Sequence, residues 1–192
     1  MAIINKALLV LGKKGSGKTV FAEHLKAKGF IVYEMGEIVK KSMKEKDIEL
    51  TNENLRAFMI KEREMHGWDV FAKYVIDNIN GDMLAGKLKG HELIIIVGIR
   101  SVEEINYFSK FIKNALIIEI RADDNIRFNR VKERKKIAEP INYEQFLKQE
   151  EKEKQAGIEK ALLMADIVIE NNNDINTFKD KINHFIAMLN TD

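Results

Sequence analysis

The spacing of apolar residues switches repeatedly between two registers along this chain. Ala7–Leu11 is a short apolar run that predicts a strand. From about Gly17 to Lys28 the spacing becomes helical and stops at Gly29, a residue suited to end a helix. Phe30–Tyr33, rich in β-branched and aromatic residues, predicts a second strand. Gly36–Lys46 reads as a short helix. A further helix starts at Thr51, with Leu55, Phe58, Met59 and Met65 on its buried face, and Gly67 interrupts it. Ala72, Val75, Ile76, Ile79 and Met83 mark the next helix, and Gly86–His91 is a polar loop.

Leu93–Val97 is apolar without interruption, as in strands covered on both faces. Ser101–Lys113 is expected to be helical and Leu116–Ile120 to be a strand. A charged helix over Asp123–Lys136 ends near Pro140, and Tyr143–Ala165 is expected as one long helix. Ile167–Ile169 is the fifth strand. Asn173–Leu189 closes the chain, with Ile175, Phe178, Ile182, Phe185, Ile186 and Leu189 on one side. Strands that alternate with helices in this way predict an α/β fold: a five-stranded parallel sheet with helices on both faces.

Composition narrows the class. With 192 residues, 45% of them hydrophobic, the chain is expected to form a single domain over 1–192 with a sizeable core. Lys+Arg total 32 against 30 Asp+Glu, so the net charge of +2 exerts no global pull on nucleic acid or an anionic membrane. The absence of cysteine excludes disulfides, thiolate zinc sites and cysteine nucleophiles. Together with the lack of a secretory leader, this leads us to expect a cytoplasmic protein. The longest apolar run is far too short to span a bilayer. His24, His66, His91 and His184 lack metal-ligand spacing, and no Ser-His-Asp arrangement is evident. The Lys/Glu run Lys148–Lys154 reads as a solvated helix face.

One motif carries chemistry. Gly12-Lys13-Lys14-Gly15-Ser16-Gly17-Lys18-Thr19 matches G-x-x-x-x-G-K-[ST], between a strand and a helix. Glycines let successive N–H groups curl around a phosphate, and the helix start adds its positive end. Lys18 supplies a mobile charge for the β- and γ-phosphates, and the Thr19 hydroxyl can ligate Mg²⁺. A nucleoside triphosphate is therefore the expected ligand. Downstream, Arg127, Arg130 and Arg134 fall on one helix face, followed by Lys135 and Lys136. They either stabilise a transferring phosphoryl group or form a salt-bridged face with Asp123, Asp124 and Glu133. Arg56 and Arg63 share a face of the helix after Thr51, where they either reach an acceptor phosphate or lie on plain surface. Trp68, Phe71 and Tyr74 belong either to the core or to that acceptor site.

The chain resembles the adenylate-kinase-related and dephospho-CoA-kinase-like P-loop proteins, in particular an archaeal branch of them. Beyond the P-loop, the likeness lies in Met35-Gly36-Glu37-Ile38-Val39-Lys40, Gly98-Ile99-Arg100-Ser101, the three arginines, and Ala165-Asp166-Ile167-Val168-Ile169-Glu170-Asn171. The resemblance implies a three-layer P-loop NTPase of the nucleoside-monophosphate-kinase type. Its helical acceptor insertion would be residues 34–91, and a small lid would lie within 123–158. It also implies an ATP- and Mg²⁺-dependent phosphotransferase acting on a small nucleotide-like acceptor, a nucleoside monophosphate or a dephospho-CoA-like molecule.

By position, the resemblance gives Gly36, Lys40 and Arg100 to the acceptor, with Arg56 as an added candidate, and puts Glu37 near the metal. Arg130 would stack on the adenine and Arg134 would reach the γ-phosphate. Asn171 and Asn172 would pass beside the base. Three departures stand out. Val97 occupies the position where the family's third strand carries an aspartate, leaving Glu37 or Glu34 to supply a carboxylate. Lys40 replaces an arginine. Gln149-Glu150-Glu151-Lys152-Glu153 replaces a stretch with further arginines. The first departure motivates an alternative, an ATP-binding regulator with weak or no turnover. The Arg127–Lys136 cluster motivates another, an RNA-associated ATPase, which the near-neutral charge disfavours. The sequence leaves the oligomeric state open.

Overall fold

A computed structural model describes residues 3–134, 142–155 and 157–189. Strands β1 (Ile4–Leu11), β2 (Ile31–Glu34), β3 (Leu93–Ile99), β4 (Ile112–Arg121) and β5 (Ile167–Glu170) form one sheet in the order β2-β3-β1-β4-β5. Every pairing is parallel. The helices are α1 (Lys18–Ala27), α2 (Met35–Glu45), α3 (Asn52–His66), α4 (Val70–Leu84), α5 (Val102–Phe108), α6 (Asp124–Glu133), α7 (Tyr143–Gln155), α8 (Ile158–Leu162) and α9 (Ile175–Leu189).

Alternation along the central strands feeds two cores. Leu8, Val10, Ile95, Val97, Ile118 and Ile120 pack on Phe21 and Leu25 of α1 and on Phe178, Ile182 and Phe185 of α9. Leu9, Leu11, Ile94, Ile96 and Ile99 face the other way, toward α2, α4 and α5. A strand buried on both faces must be apolar at every position, which accounts for the unbroken run in β3. Each fully buried side chain of this kind contributes roughly 1.5–3 kcal/mol.

The chain passes from β1 to β2 to β3 on one side of β1, then crosses to β4 and β5 on the other. The carboxyl end of β1 is thus a topological switch point, where α/β sheets open a crevice for ligands. The phosphate-loop motif sits there. At the end of β3 the register slips: Val10 pairs with Val97, but Leu11 pairs with Ile99. Gly98, at φ 103°, absorbs the extra residue, and the strand then releases Arg100 beside the loop.

Three predicted boundaries move. The helix expected over Ser101–Lys113 ends at Phe108, because Phe111 N–H turns back onto the Phe108 carbonyl and its own carbonyl accepts the N–H of Ile4. β4 therefore begins at Ile112 and β1 at Ile4. The long helix expected over Tyr143–Ala165 is broken between α7 and α8, where Gly157 has φ 93°. The expected helix Asp123–Lys136 runs to Glu133 with Arg134 as its cap. Lys135, Lys136 and Pro140 lie outside the described residues.

Candidate active site

The phosphate loop depends on its glycines for shape. Gly17 has φ 111°, and a Cβ there would lie 2.2 Å from the Asn171 amide nitrogen. Gly15 has φ 80°, and its Cβ would meet the Arg127 carbonyl at 2.7 Å. The loop is thus pressed between α6 and the segment after β5. α1 starts at Lys18, and its first intrahelical bond runs from Phe21 N–H to the Gly17 carbonyl at 3.0 Å. The N–H groups before it are the positive end expected of an anion cradle. Ser16 Oγ is buried with no hydrogen-bond partner among the described residues, as suits a loop shaped for an oxygen-rich guest.

Lys18 folds back on the loop and donates to the carbonyls of Gly12 (2.5 Å) and Lys13 (2.9 Å). Burial and the nearby Arg100 guanidinium lower its pKa from 10.5 to about 7. Arg134 and Arg127 push the same way, and Glu153 opposes them. A lysine so surrounded by cations marks a place that favours a polyanion. Thr19 is exposed on the first turn of α1, and its hydroxyl is an oxygen donor of the kind Mg²⁺ accepts.

A cavity of about 480 Å³ opens beside the loop, lined among others by Gly17, Arg130, Arg134, Asn171 and Phe178. Asn171 is buried and donates to the Ser16 carbonyl at 2.7 Å. Its own carbonyl accepts from Arg130 at 3.0 Å, and Arg130 also donates to the Asn173 carbonyl at 3.2 Å. One asparagine therefore ties the loop after β5 to both the phosphate loop and α6. Asn172 follows it in the same loop. Its amide bonds Asp123 from both ends, accepting at 2.9 Å and donating at 3.1 Å, and it does not line the cavity.

The arginine stripe of α6 divides. Arg130 and Arg134 border the cavity. Arg127 is only 1% exposed and donates to Glu150 (2.6 and 2.9 Å), Asp124 (2.7 Å) and the Lys14 carbonyl (2.9 Å), over the Phe146 ring. It is a structural anchor whose main partner, Glu150, comes from the run that reads as a solvated face. On that same helix Lys148 and Glu144 do form an exposed i, i+4 pair.

On the β3 side of the loop, Arg100 leaves the strand just before α5. Ser101 caps α5, and Glu104 reaches back past it to Arg100. Ser101 Oγ accepts the Glu104 N–H at 3.3 Å, and the buried Glu104 carboxylate accepts the Arg100 N–H at 2.8 Å. Burial pushes the Glu104 carboxyl upward. Arg63 stands 3.7 Å from Glu104, with its guanidinium over Trp68 and Phe71. Arg63, not Arg56, is thus the α3 arginine that shares Glu104 with the Arg100 backbone. Arg56 is exposed two turns earlier on the same helix. Phe71 joins the core, and Trp68 is 45% exposed against Arg63. Gly36, Glu37 and Lys40 lie on the first turns of α2. There Glu37 and Lys40 pair with each other at 2.7 Å, both well exposed, and Glu34 pairs with Lys26 at 2.6 Å. These carboxylates hold lysines, not the phosphate loop. Among the described residues, no group of three or more His, Cys, Asp or Glu is arranged to hold a metal.

Residues 8–156 match the model of a family described as AAA domain. A UPF0200 protein of Methanocaldococcus jannaschii is 33% identical over 184 residues, covering 94% of this chain and 87% of its own length. The chain is an AAA-domain protein of the UPF0200 family. A UPF0200/UPF0201 protein of Archaeoglobus fulgidus is 32% identical over 190 residues; the match covers 98% of this chain but only 57% of that longer relative. Among solved structures, TT1252 from Thermus thermophilus superposes with a TM-score of 0.65 at 19% identity, covering 97% of this chain and 98% of that one. Dephospho-CoA kinase from Campylobacter jejuni follows at a TM-score of 0.51 and 16% identity, covering 96% and 97%. At these identities the likeness establishes a P-loop kinase-like fold. No helix among the described residues is long and apolar enough to cross a membrane.

Proposed function

We propose that this UPF0200 protein is an ATP- and Mg²⁺-dependent phosphotransferase acting on a small nucleotide-like acceptor in the cytoplasm. The observation that carries the proposal is the convergence on the phosphate loop of Lys18, folded onto the Gly12 and Lys13 carbonyls, and of Arg134 and Asn171, which line the cavity beside Gly17; Arg100 adds to the positive field around Lys18. The triphosphate would lie in the loop, with its base in the cavity beside Arg130 and Asn171. Lys18 and Arg134 would stabilise the γ-phosphoryl group as its bond to the β-phosphate oxygen breaks and its bond to an acceptor oxygen forms. Arg100 and Arg63 would hold the acceptor's anionic group. Thr19 would hold Mg²⁺, whose charge would favour departure of the diphosphate. Catalysis would then be positioning and electrostatics, as this chemistry requires.

A second reading, an ATP-binding regulator, is favoured by Val97, which is 3% exposed in the α1-facing core where the resemblance implies an aspartate. One assay separates the two. ADP formation is followed with and without a panel of nucleoside monophosphates and dephospho-CoA, with Lys18→Ala as control. Acceptor-stimulated turnover that is lost in Lys18→Ala supports the phosphotransferase and rejects the regulator. Binding of ATP without stimulation by any acceptor rejects the phosphotransferase.

A further inference from the structure

Helix α7 turns its acids onto the cations of the site. Glu150 and Glu153 are one helical turn apart and share a face. Glu150 takes both guanidinium nitrogens of Arg127 and stands 3.7 Å from Lys13. One turn on, Glu153 meets Arg100 Nη1 at 3.3 Å, with about three-quarters of its side chain covered. Arg100 is the residue that the phosphotransfer reading gives to the acceptor, and the inference rests on that reading.

The two contacts differ in kind. Arg127 is enclosed by Glu150, Asp124, the Lys14 carbonyl and Phe146, so that pair is part of the fold. The Arg100 guanidinium is about half exposed, and an ion pair of this sort adds little to stability. Its effect falls on ligands. An anion arriving at Arg100 finds the guanidinium already matched by a carboxylate and meets that carboxylate's negative charge.

We propose that Glu153 is an internal competitor, a carboxylate that occupies Arg100 in the empty protein and that an anionic acceptor must displace, so that the end of α7 gates the acceptor side of the site. The Glu150–Arg127 pair is the fixed end of the gate and Glu153 the exchangeable end. Gly157, at φ 93°, turns the chain just beyond α7. A protein that binds only in its open state shows its intrinsic affinity reduced by the open fraction. Removing the competing charge therefore raises apparent affinity without adding a contact.

Inorganic phosphate serves as the probe, titrated against the fluorescence of Trp68, the chain's single tryptophan, which sits against Arg63 beside the site. Glu153→Gln should bind phosphate about 5- to 10-fold more tightly than wild type. Arg100→Ala should bind weakly, and Glu153→Gln combined with Arg100→Ala should recover nothing. Glu144→Gln removes the same charge from an exposed position on α7 and should leave binding unchanged. Several results would overturn the gate: no change or weaker binding in Glu153→Gln, an equal gain in Glu144→Gln, a gain that survives Arg100→Ala, or no phosphate binding in any variant. The measurement involves no turnover, so a failed acceptor panel would remove the phosphotransferase reading and leave this result standing on its own.

Discussion

At the scale of single residues, Lys18 concentrates the physics of the site. Its amine is held among cations and loop carbonyls, and its pKa is lowered to about 7. Between that value and the ordinary 10.5, the folded protein binds fewer protons than the unfolded chain. Stability of the empty protein should therefore rise with pH across this window, since ∂ΔG of unfolding with pH is positive wherever the unfolded state holds more protons. A bound triphosphate restores the charged form. At pH 8 binding should take up about one proton per nucleotide, and at pH 6 far fewer, because the lysine is then already charged. Calorimetric titration in buffers of different ionisation enthalpy measures that uptake. Equal uptake in Lys18→Ala would show that the proton goes elsewhere. Arg63 shows why other site residues were harder to read. Its role depends on α3 folding back so that it meets Glu104, a contact distant in sequence, and its spacing equally suited a surface residue. The phosphate loop needed no such context, because its glycines, lysine and threonine act within eight consecutive residues.

Among the elements, α7 behaves least like its sequence. Its Lys/Glu pattern satisfies the i, i+4 rule of an exposed helix, as Lys148 and Glu144 illustrate. The tertiary fold turns Glu150 and Glu153 inward against cations contributed by other segments. The strands were legible because each central one is apolar on both faces. Where strand and helix spacing overlap, as at Phe108 and Ile112, both buried, the boundary could not be read from periodicity. Gly157 falls inside the helix expected over Tyr143–Ala165, and only its positive φ reveals the break. The docking of α7 is testable through Arg127. Its replacement by methionine keeps bulk over Phe146 but leaves Glu150 largely buried without its guanidinium. Losing one partner of a buried pair costs about 3–5 kcal/mol. The melting temperature should fall by roughly 10 °C, at 2–4 °C per kcal/mol for a chain of this size. Amide exchange should accelerate first in α7, with β1 and β3 still protected. A melt within ~2 °C of wild type would mean that α7 is held by other contacts.

For the whole molecule, the switch point decides what a nucleotide does. The phosphate loop follows β1, Arg100 follows β3, Arg130 and Arg134 come from the helix after β4, and Asn171 follows β5. A triphosphate bound where these meet would touch segments from both halves of the sheet, so its binding energy should be felt as global stability and not as local ordering. Ligand present at 100 times its dissociation constant stabilises the native state by about 2.7 kcal/mol. Given the size of this chain, that corresponds to a rise in melting temperature of roughly 5–11 °C. ATP should produce this shift as one cooperative transition. Lys18→Ala should abolish most of it, because the γ-phosphate loses its counter-charge. Amide exchange with ATP bound should slow at the ends of β1, β3 and β5 together. Protection confined to the phosphate loop, with no shift in the melt, would mean that the nucleotide engages only one segment, and the convergence on which the phosphotransferase proposal stands would not extend to the bound state.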